Sequence, residues 1–551
     1  MRIFMTFVAL LVLIVSRADA QKLELYMDEQ GKACFRVQFK MTPKAIDENR
    51  IIIPLTWDFA DRNSGNAAHS YNRATIAYYR ITNRNARENY QQLLTKIWDK
   101  TDNNQTVNRA FLIEKMVKPT VPLPSWTRKQ VPEDEWTPED VAVMQRDIFL
   151  DGINQKTWEH EHLLPLEKPE QVKATREFIR QCDEVYRFIE EGSRCDNCDF
   201  GIPFRETDNP LGLRIEEIHS MRALGRLVQL RVMLELHEGR YQDALKSIRI
   251  GMALARQTGK QPLLVSGLAG TAICGTMQEQ LVDLINRPDS PNLYWEVASL
   301  PNPFLSFGEA MDMEKNTYVP QSFPLLKKAL DDPDSLLDEE WRIMIDQMTT
   351  VLQKISPDEL QKQYYMKLST ESITTASYPP ARRWLLDQGK TAEEIDAMIP
   401  EKVVGLHVVY ELQLHWNNYF RATRLPLWEE GDADRQAQQI FHELDNTPFK
   451  GSFFARRIIW LFLPASQVAR SAYRRIQSGQ DMLRIAEAIR DYAATNGGTV
   501  PATLKEITAV SVPMIDPSTG VPYHYHVADG VGQIELPHIN PKCTVFFEIV
   551  K

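Results

Sequence analysis

Residues 213–257 read LRIEEIHSMRALGRLVQLRVMLELHEGRYQDALKSIRIGMALARQ, and this stretch decides the fold. Ile218, Met221, Leu224, Val228, Val232 and Leu236 step by three or four positions. On a helix of about 3.6 residues per turn they form one apolar stripe. Gly239 interrupts the pattern, and a second stripe runs through Tyr241, Ala244, Leu245, Ile248, Met252 and Ala255. Two amphipathic helices divided by a glycine predict an antiparallel hairpin that must bury its apolar faces on further helices. The same spacing extends from about residue 65 to about 495, so the expected fold is mainly α, with strands only near the two ends.

The next helix, expected over about 262–286, contains Gly267, Ala269, Gly270, Ala272 and Gly275. Glycine costs a helix about 1 kcal/mol relative to alanine. Close approach of neighbouring helices is the expected reason for three of them, with a ligand groove as the alternative. Further helices are predicted at roughly 334–353, 357–372, 379–388 and 400–423, with Thr391 capping the loop before the last. The stretch EGRYQDALKSIRIGMALARQTGKQP (238–262) resembles the turn and second helix of a tetratricopeptide repeat. It has a glycine, an aromatic residue two positions later, small alanines where helices touch, and a proline after the helix. One such unit matches and no fixed period follows, so the body reads as an irregular α-helical array.

Residues 1–20 have the form of a secretory signal peptide. Arg2 supplies the charged start, Ile3–Val15 the apolar core, and Ala18-Asp19-Ala20 the small residues of a cleavage site. Cleavage is expected to leave Gln21 first, with 62 basic against 73 acidic residues and a formal charge of −11. That balance argues against nucleic acid as a partner, because phosphate backbones need a positive footprint. No later segment reads as a membrane span: Pro262–Cys274 is broken by glycines and Ile458–Leu463 is too short. Residues 23–39, LELYMDEQGKACFRVQF, alternate around a polar turn and predict a β-hairpin or extended arm, while five prolines between 119 and 138 predict an extended crossover. The resulting division is a signal peptide over 1–20, an N-terminal extended or β arm over 21–55, an α-helical body over 56–463 and a C-terminal α+β module over 464–551.

That module differs from everything before it. Met482, Ile485, Ala486, Ile489 and Tyr492 form the stripe of a helix, which NGGTVPATLKEI (496–507) and VPMIDPSTGVPYHYHVADGVGQIELP (512–537) follow. Asn496-Gly497 ends the helix, prolines fix an extended connection, and Asp516-Pro517 with Gly520 sets a turn before a hairpin. Period two places Tyr523 and Tyr525 on one packed face of that hairpin and His524 and His526 on the exposed one. Arg490 lies opposite the stripe and is expected to tolerate alanine. The order of these residues is similar to the major pseudopilin of type II secretion. The chain departs from it in having no prepilin leader, and FFARRIIWLFLPASQVARSAY (453–473) carries three arginines and is expected to break at Pro464. With its leader, the NAAHSYNRA start (66–74), the CDNCDFG loop (195–201) and this module, the chain as a whole resembles exported, largely helical proteins of planctomycete-type bacteria. The resemblance implies architecture and location, not a chemistry.

Candidate chemistry is sparse. Cys195 and Cys198 form a C-x-x-C pair in a turn-rich loop, where a local disulfide or two free thiols is the expected state. A redox pair would open a helix in a βαβ setting, and a zinc site would need two further ligands at compatible spacing. His160 and His162 in WEHEHLLPLE, and His524 with His526, each offer two possible metal ligands without a third. The carboxylates of Asp331–Glu340 lack EF-hand spacing and fit a helix start, with Asp334 or Ser335 as cap. No nucleophile elbow, zinc-protease helix, phosphate loop or dinucleotide fingerprint is present, and no cofactor or metal is expected. The reading that results is an exported, non-enzymatic helical scaffold or protein-interaction protein of the bacterial cell envelope, with protein partners in the periplasm or envelope. The alternative is a hydrolase-type envelope enzyme whose site, between helices, is assembled from dispersed His, Asp and Glu.

Overall fold

A computed structural model describes residues 24–27, 33–81, 166–201, 216–312, 323–355, 369–422, 453–536 and 543–550, apart from a few single positions. The leader, the proline-rich crossover, and His160 with His162 lie outside the described residues, as does most of the helix expected over 357–372. Among the described residues the protein is mainly helical with a small strand sheet.

The hairpin that decides the fold is present as α4 (Glu216–His237) and α5 (Tyr241–Gly259), joined through Gly239 at a φ of 71°. That left-handed turn is one a side chain would strain. α6 (Leu264–Ile285) packs against both helices of the pair. The glycines of α6 are packing positions. A Cβ on Gly270 would stand 2.6 Å from the Ala255 carbonyl oxygen and 2.7 Å from the backbone of Gly259, so α5 and α6 touch backbone to backbone there. Around this core lie α1 (67–78), α2 (Pro169–Gln181) and α3 (Asp183–Ser193). The short α7 (Tyr294–Ala298) lies after α6 and packs on the last helix.

A second apolar cluster centres on Trp341 and is built by α8 (Pro324–Asp331), α9 (Asp338–Ile355), α10 (Thr370–Asp387), α11 (Ala392–Asp396) and α12 (Pro400–Ala422). Thr391 caps α11 as expected, in a reciprocal pairing with Glu394 at 3.2 and 2.8 Å. α10 differs from expectation: it begins at Thr370 and carries Pro379 and Pro380 inside it instead of starting near them.

The last helix, α13, runs unbroken from Phe453 to Thr495, 43 residues and about 65 Å at the usual rise. The expected break at Pro464 is absent. A proline removes one helical hydrogen bond and strains the preceding turn, but α13 is supported along its length by α12, α9, α6 and α7. No described helix is long and apolar enough to cross a membrane.

Beyond α13 the chain forms β5 (Tyr525–Ala528), β6 (Val531–Leu536) and β7 (Cys543–Ile549), an antiparallel meander. The N-terminal arm is the expected hairpin, β1 (Glu24–Met27) with β2 (Ala33–Met41). It is not a separate unit. β2 lies parallel to β7, giving one five-stranded sheet in the order β1-β2-β7-β6-β5. Phe39 stacks on Phe547 with centroids 5.4 Å apart, and Gln38 Nε2 donates to Glu548 at 2.8 Å. The arm and the terminal module, which sequence divides by hundreds of residues, are one layer.

From β2 the chain continues as an extended strap, 42–62, over helices it never joins. Lys44 N–H donates to the Arg490 carbonyl at 3.1 Å and Ile46 N–H to Asp491 Oδ1 at 2.8 Å. Arg50 pairs with Glu296 at 2.6 Å, and Leu55 N–H reaches Ser299 Oγ at 3.0 Å. This strap overturns the expectation for Arg490. The side chain is fully buried, because the strap and the 286–296 loop cover the helix face opposite the sheet. Arg490 donates to both carboxylate oxygens of Glu487 at 3.0 and 2.9 Å. It also donates to the carbonyl oxygens of Thr42, Pro291 and Ser290 at 3.2, 3.2 and 3.1 Å. Burial pushes the Glu487 carboxyl up even with the guanidinium beside it pulling it down.

Two outcomes follow for stability. In urea unfolding of the full chain, Arg490→Ala is expected to cost about 3–5 kcal/mol, as a buried pair losing one partner, comparable to the roughly 2–5 kcal/mol of Ile489→Ala; a change within about 0.5 kcal/mol at Arg490 would contradict the buried pairing. Gly270→Ala is expected to lower the unfolding free energy by about 1–3 kcal/mol through overpacking. Gly275→Ala, whose Cβ would make an ordinary 3.6 Å contact with Ile476, is expected to gain up to about 1 kcal/mol from helix propensity.

Candidate functional site

The C-x-x-C loop is held by the end of the helical hairpin. Gln257, on the last turn of α5, donates from Nε2 to the carbonyl oxygens of Gly192 and Cys195 at 3.1 and 2.7 Å. One turn on, Gln261 Nε2 donates to the Cys198 carbonyl. The Gln257 side-chain oxygen accepts from the hydroxyl of Tyr71, a fully buried residue of α1. Spacing of four residues puts both glutamines on one face of the chain leaving α5, so a single helix end fixes both halves of the loop.

A two-stranded parallel pair completes the clasp, formed by β3 (Asn63–Asn66) and β4 (Cys195–Asn197). These are strands within the helical body, which the periodicity did not predict. Asn66 Nδ2 donates to the Asp199 carbonyl at 2.6 Å, and its Oδ1 accepts from Asp199 N–H at 2.8 Å. The same Oδ1 accepts from Ala68 N–H at 3.0 Å at the start of α1. The two motifs NAAHSYNRA and CDNCDFG are thus in direct contact.

Both thiols are free in the structure. Cys195 Sγ donates weakly to the Glu191 carbonyl at 3.6 Å. Burial raises the Cys195 thiol above its ordinary range, with Asp196 and Glu191 adding to the effect. Burial also raises Cys198, with Asp199 and then Cys195 behind it. Reactive cysteines have the opposite surroundings, a helix N-terminus or nearby cations that favour the thiolate. Here β4 follows the end of α3, and the nearest charges are carboxylates.

Basic groups collect one step away, around Trp57 at the far end of the strap. The Trp57 indole N–H donates to Ser193 Oγ at 3.1 Å, and the ring is nearly buried. The guanidinium carbons of Arg249 and Arg194 stand 3.8 and 4.4 Å from the ring centroid. Arg62 Nε donates to the Trp57 carbonyl at 3.1 Å. No signal in the sequence placed these arginines together, since they come from three separate segments.

The remaining candidate positions are in structural use. Tyr523 and Tyr525 pack as expected, with their hydroxyls donating to Asp481 Oδ2 at 3.0 Å and to the Pro501 carbonyl at 2.9 Å. Burial raises the Asp481 carboxyl to about 6. His524 is exposed and His526 half-buried, their rings 5.6 Å apart. Of the Asp331–Glu340 acids, Asp331 pairs with Lys327, Glu340 with Lys328 at 2.7 Å and Glu339 with Arg342 at 3.1 Å. Neither Asp334 nor Ser335 caps α9, which begins at Asp338; both lie in a short 3-10 turn, Pro333–Ser335, capped by Asp332, which accepts from Asp334 N–H at 3.1 Å. Among the described residues no group of three or more His, Cys, Asp or Glu is placed to hold a metal ion. No family model, curated protein or solved structure matches the chain.

The thiol environment is directly measurable. In iodoacetamide labelling of the native protein at pH 7.5, Cys195 is expected to react more slowly than in the unfolded chain, and Cys198 more slowly still, because burial raises both thiols and the thiolate is the reacting form. Gln257→Ala should release the loop and accelerate both. Native rates equal to the unfolded ones would mean the thiols are not held as described.

Proposed function

We propose that the protein is an exported, non-enzymatic scaffold of the bacterial cell envelope that works by holding protein partners. The observation that carries this reading is where its buried polar side chains are directed. Arg490 and Asn292 bind backbone carbonyls of the strap and of α13 or its flanking loop. Gln257 and Gln261 bind those of the cysteine loop, and Asp481 binds Tyr523. Each of these groups ties two distant segments together; none converges with another on a cleft as an acid, a base and a nucleophile must. Polar groups spent in this way give a rigid body. The long α13 links the second helical cluster to the sheet and adds an extended framework.

The N-terminal leader supports export, and the resemblance of the C-terminal module to the major pseudopilin supports an envelope location. The thiols, raised by burial and neighbouring carboxylates, suit a clasp more than redox exchange.

The test is chemical cross-linking in intact cells of the source organism, followed by purification of the native protein and mass spectrometry. The expected result is an N-terminus at Gln21, recovery with the envelope fraction, and a discrete protein cross-linked in stoichiometric amount. A chain that retains Met1 in the cytosol, or that is recovered without any cross-linked protein, would overturn the proposal.

A further inference from the structure

The strap is held to α13 by side chains, not by strand pairing, and its attachments converge on one cluster of buried charge. Glu487 and Arg490 of α13 are both fully buried and pair at 2.9 Å. Glu296 of α7 is equally buried and pairs with Arg50 of the strap at 2.6 Å. The loop before α7 joins the two pairs. Asn292 Nδ2 donates to the Glu487 and Lys44 carbonyl oxygens at 2.9 and 3.0 Å, and the Asn292 carbonyl accepts from Arg50 at 2.7 Å. Between Ile46 and Ile53 the strap is otherwise open to water, with Asp47, Glu48, Asn49, Ile51 and Ile52 exposed.

An acid cut off from water is stabilised only by the groups that face it. For Glu487 these are Arg490 from its own helix, the Leu293 N–H from the loop and, as a like charge, Glu296 from α7, with Arg50 of the strap behind it. Neighbouring charges are engaged elsewhere. Asp491 accepts from Ile46 N–H, and Arg484 donates to Tyr294 Oη and the Ser511 carbonyl at 3.2 and 3.3 Å. Lys44, Asp47, Glu48 and Asp289 are exposed. Arg490 is shared between Glu487 and the carbonyl oxygens of Thr42, Pro291 and Ser290, and Glu296 Oε2 is buried without a donor. The closed strap thus seals two carboxyl groups in a space whose donors are already committed, and a proton on Glu487 removes the like charge. Burial pushes Glu487 up to about 7 from its ordinary 4.5. Lifting the strap lets water reach this cluster and returns the group toward the ordinary value. The closed state therefore holds a proton that the open state gives up. Its contribution to closure is complete below about pH 4.5 and is lost as pH rises through about 7.

We propose that closure of the strap onto α13 is coupled to uptake of one proton at Glu487, so that the strap is a latch held shut in mild acid and loosened above neutrality. The test is hydrogen exchange of the folded full chain between pH 5.5 and 8, read by mass spectrometry and corrected for the chemical rate of amide exchange at each pH. The reporters are the Lys44 and Ile46 amides, which donate to the Arg490 carbonyl and to Asp491. Their opening constant is expected to rise about tenfold or more over that range. At every pH they should open more readily than the amides of α5, as a local opening does. Glu487→Gln, neutral throughout, is expected to abolish the rise. Glu296→Gln, which removes the like charge, should end the rise at lower pH. Asp47→Asn, on the exposed part of the strap, should leave it unchanged. Circular dichroism of each variant establishes that it is folded. An opening constant that does not change with pH, the same rise in folded Glu487→Gln, or strap amides as protected as those of α5 would overturn the proposal.

Discussion

The guanidinium of Arg490 is the contact on which the rest of the structure depends. It is fully buried beside Glu487 and donates to carbonyl oxygens from the strap and from the loop after α6. A buried ion pair adds less net stability than its Coulomb energy suggests, because both charges must leave water. Its effect is to specify which segments meet. Strap carbonyls without strand partners would be left unsatisfied in the interior, and Arg490 and Asn292 supply donors at Thr42 and Lys44. Asp491, the next residue, accepts from Ile46 N–H and fixes the strap's register on the same helix turn.

That register has consequences for the whole chain. The strap leads from β2, which pairs in parallel with β7 near the C-terminal end, to Trp57 and the cysteine loop. Gln38 and Glu548, bonded side chain to side chain, are separated by 510 positions. A contact of such separation carries a closure cost that the intervening helices lower by holding its ends near one another. The helical hairpin and α6, which are local, form the body on which the sheet closes.

The cysteine loop and the arginine cluster adjoin each other along α5. Gln257 and Gln261 use the end of α5 to hold the loop carbonyls, and Arg249 uses a preceding turn to meet the strap. One helix and the turn after it therefore position both features, from adjoining faces. Burial, with neighbouring carboxylates, raises both thiols above their ordinary range.

The amino-acid sequence by itself determined the helical class, the hairpin through Gly239, the Thr391 cap, the N-terminal β-hairpin and the packed tyrosines of the terminal module. These are local: periodicity, turn residues and caps act within a few positions, where the chain's own pattern decides the outcome. Tertiary structure alone decided the burial of Arg490, the continuity of α13 through Pro464, the union of the arm with the terminal sheet, and the gathering of Arg62, Arg194 and Arg249 around Trp57. An amphipathic stripe marks one face of a helix, but it carries no record that a polar strap from the other end of the chain will cover the opposite face. Extended segments without apolar periodicity leave that mark nowhere in sequence. Their positions come from side chains, such as Arg490, Asp491 and Glu296, that satisfy their backbone only once the fold has brought them together.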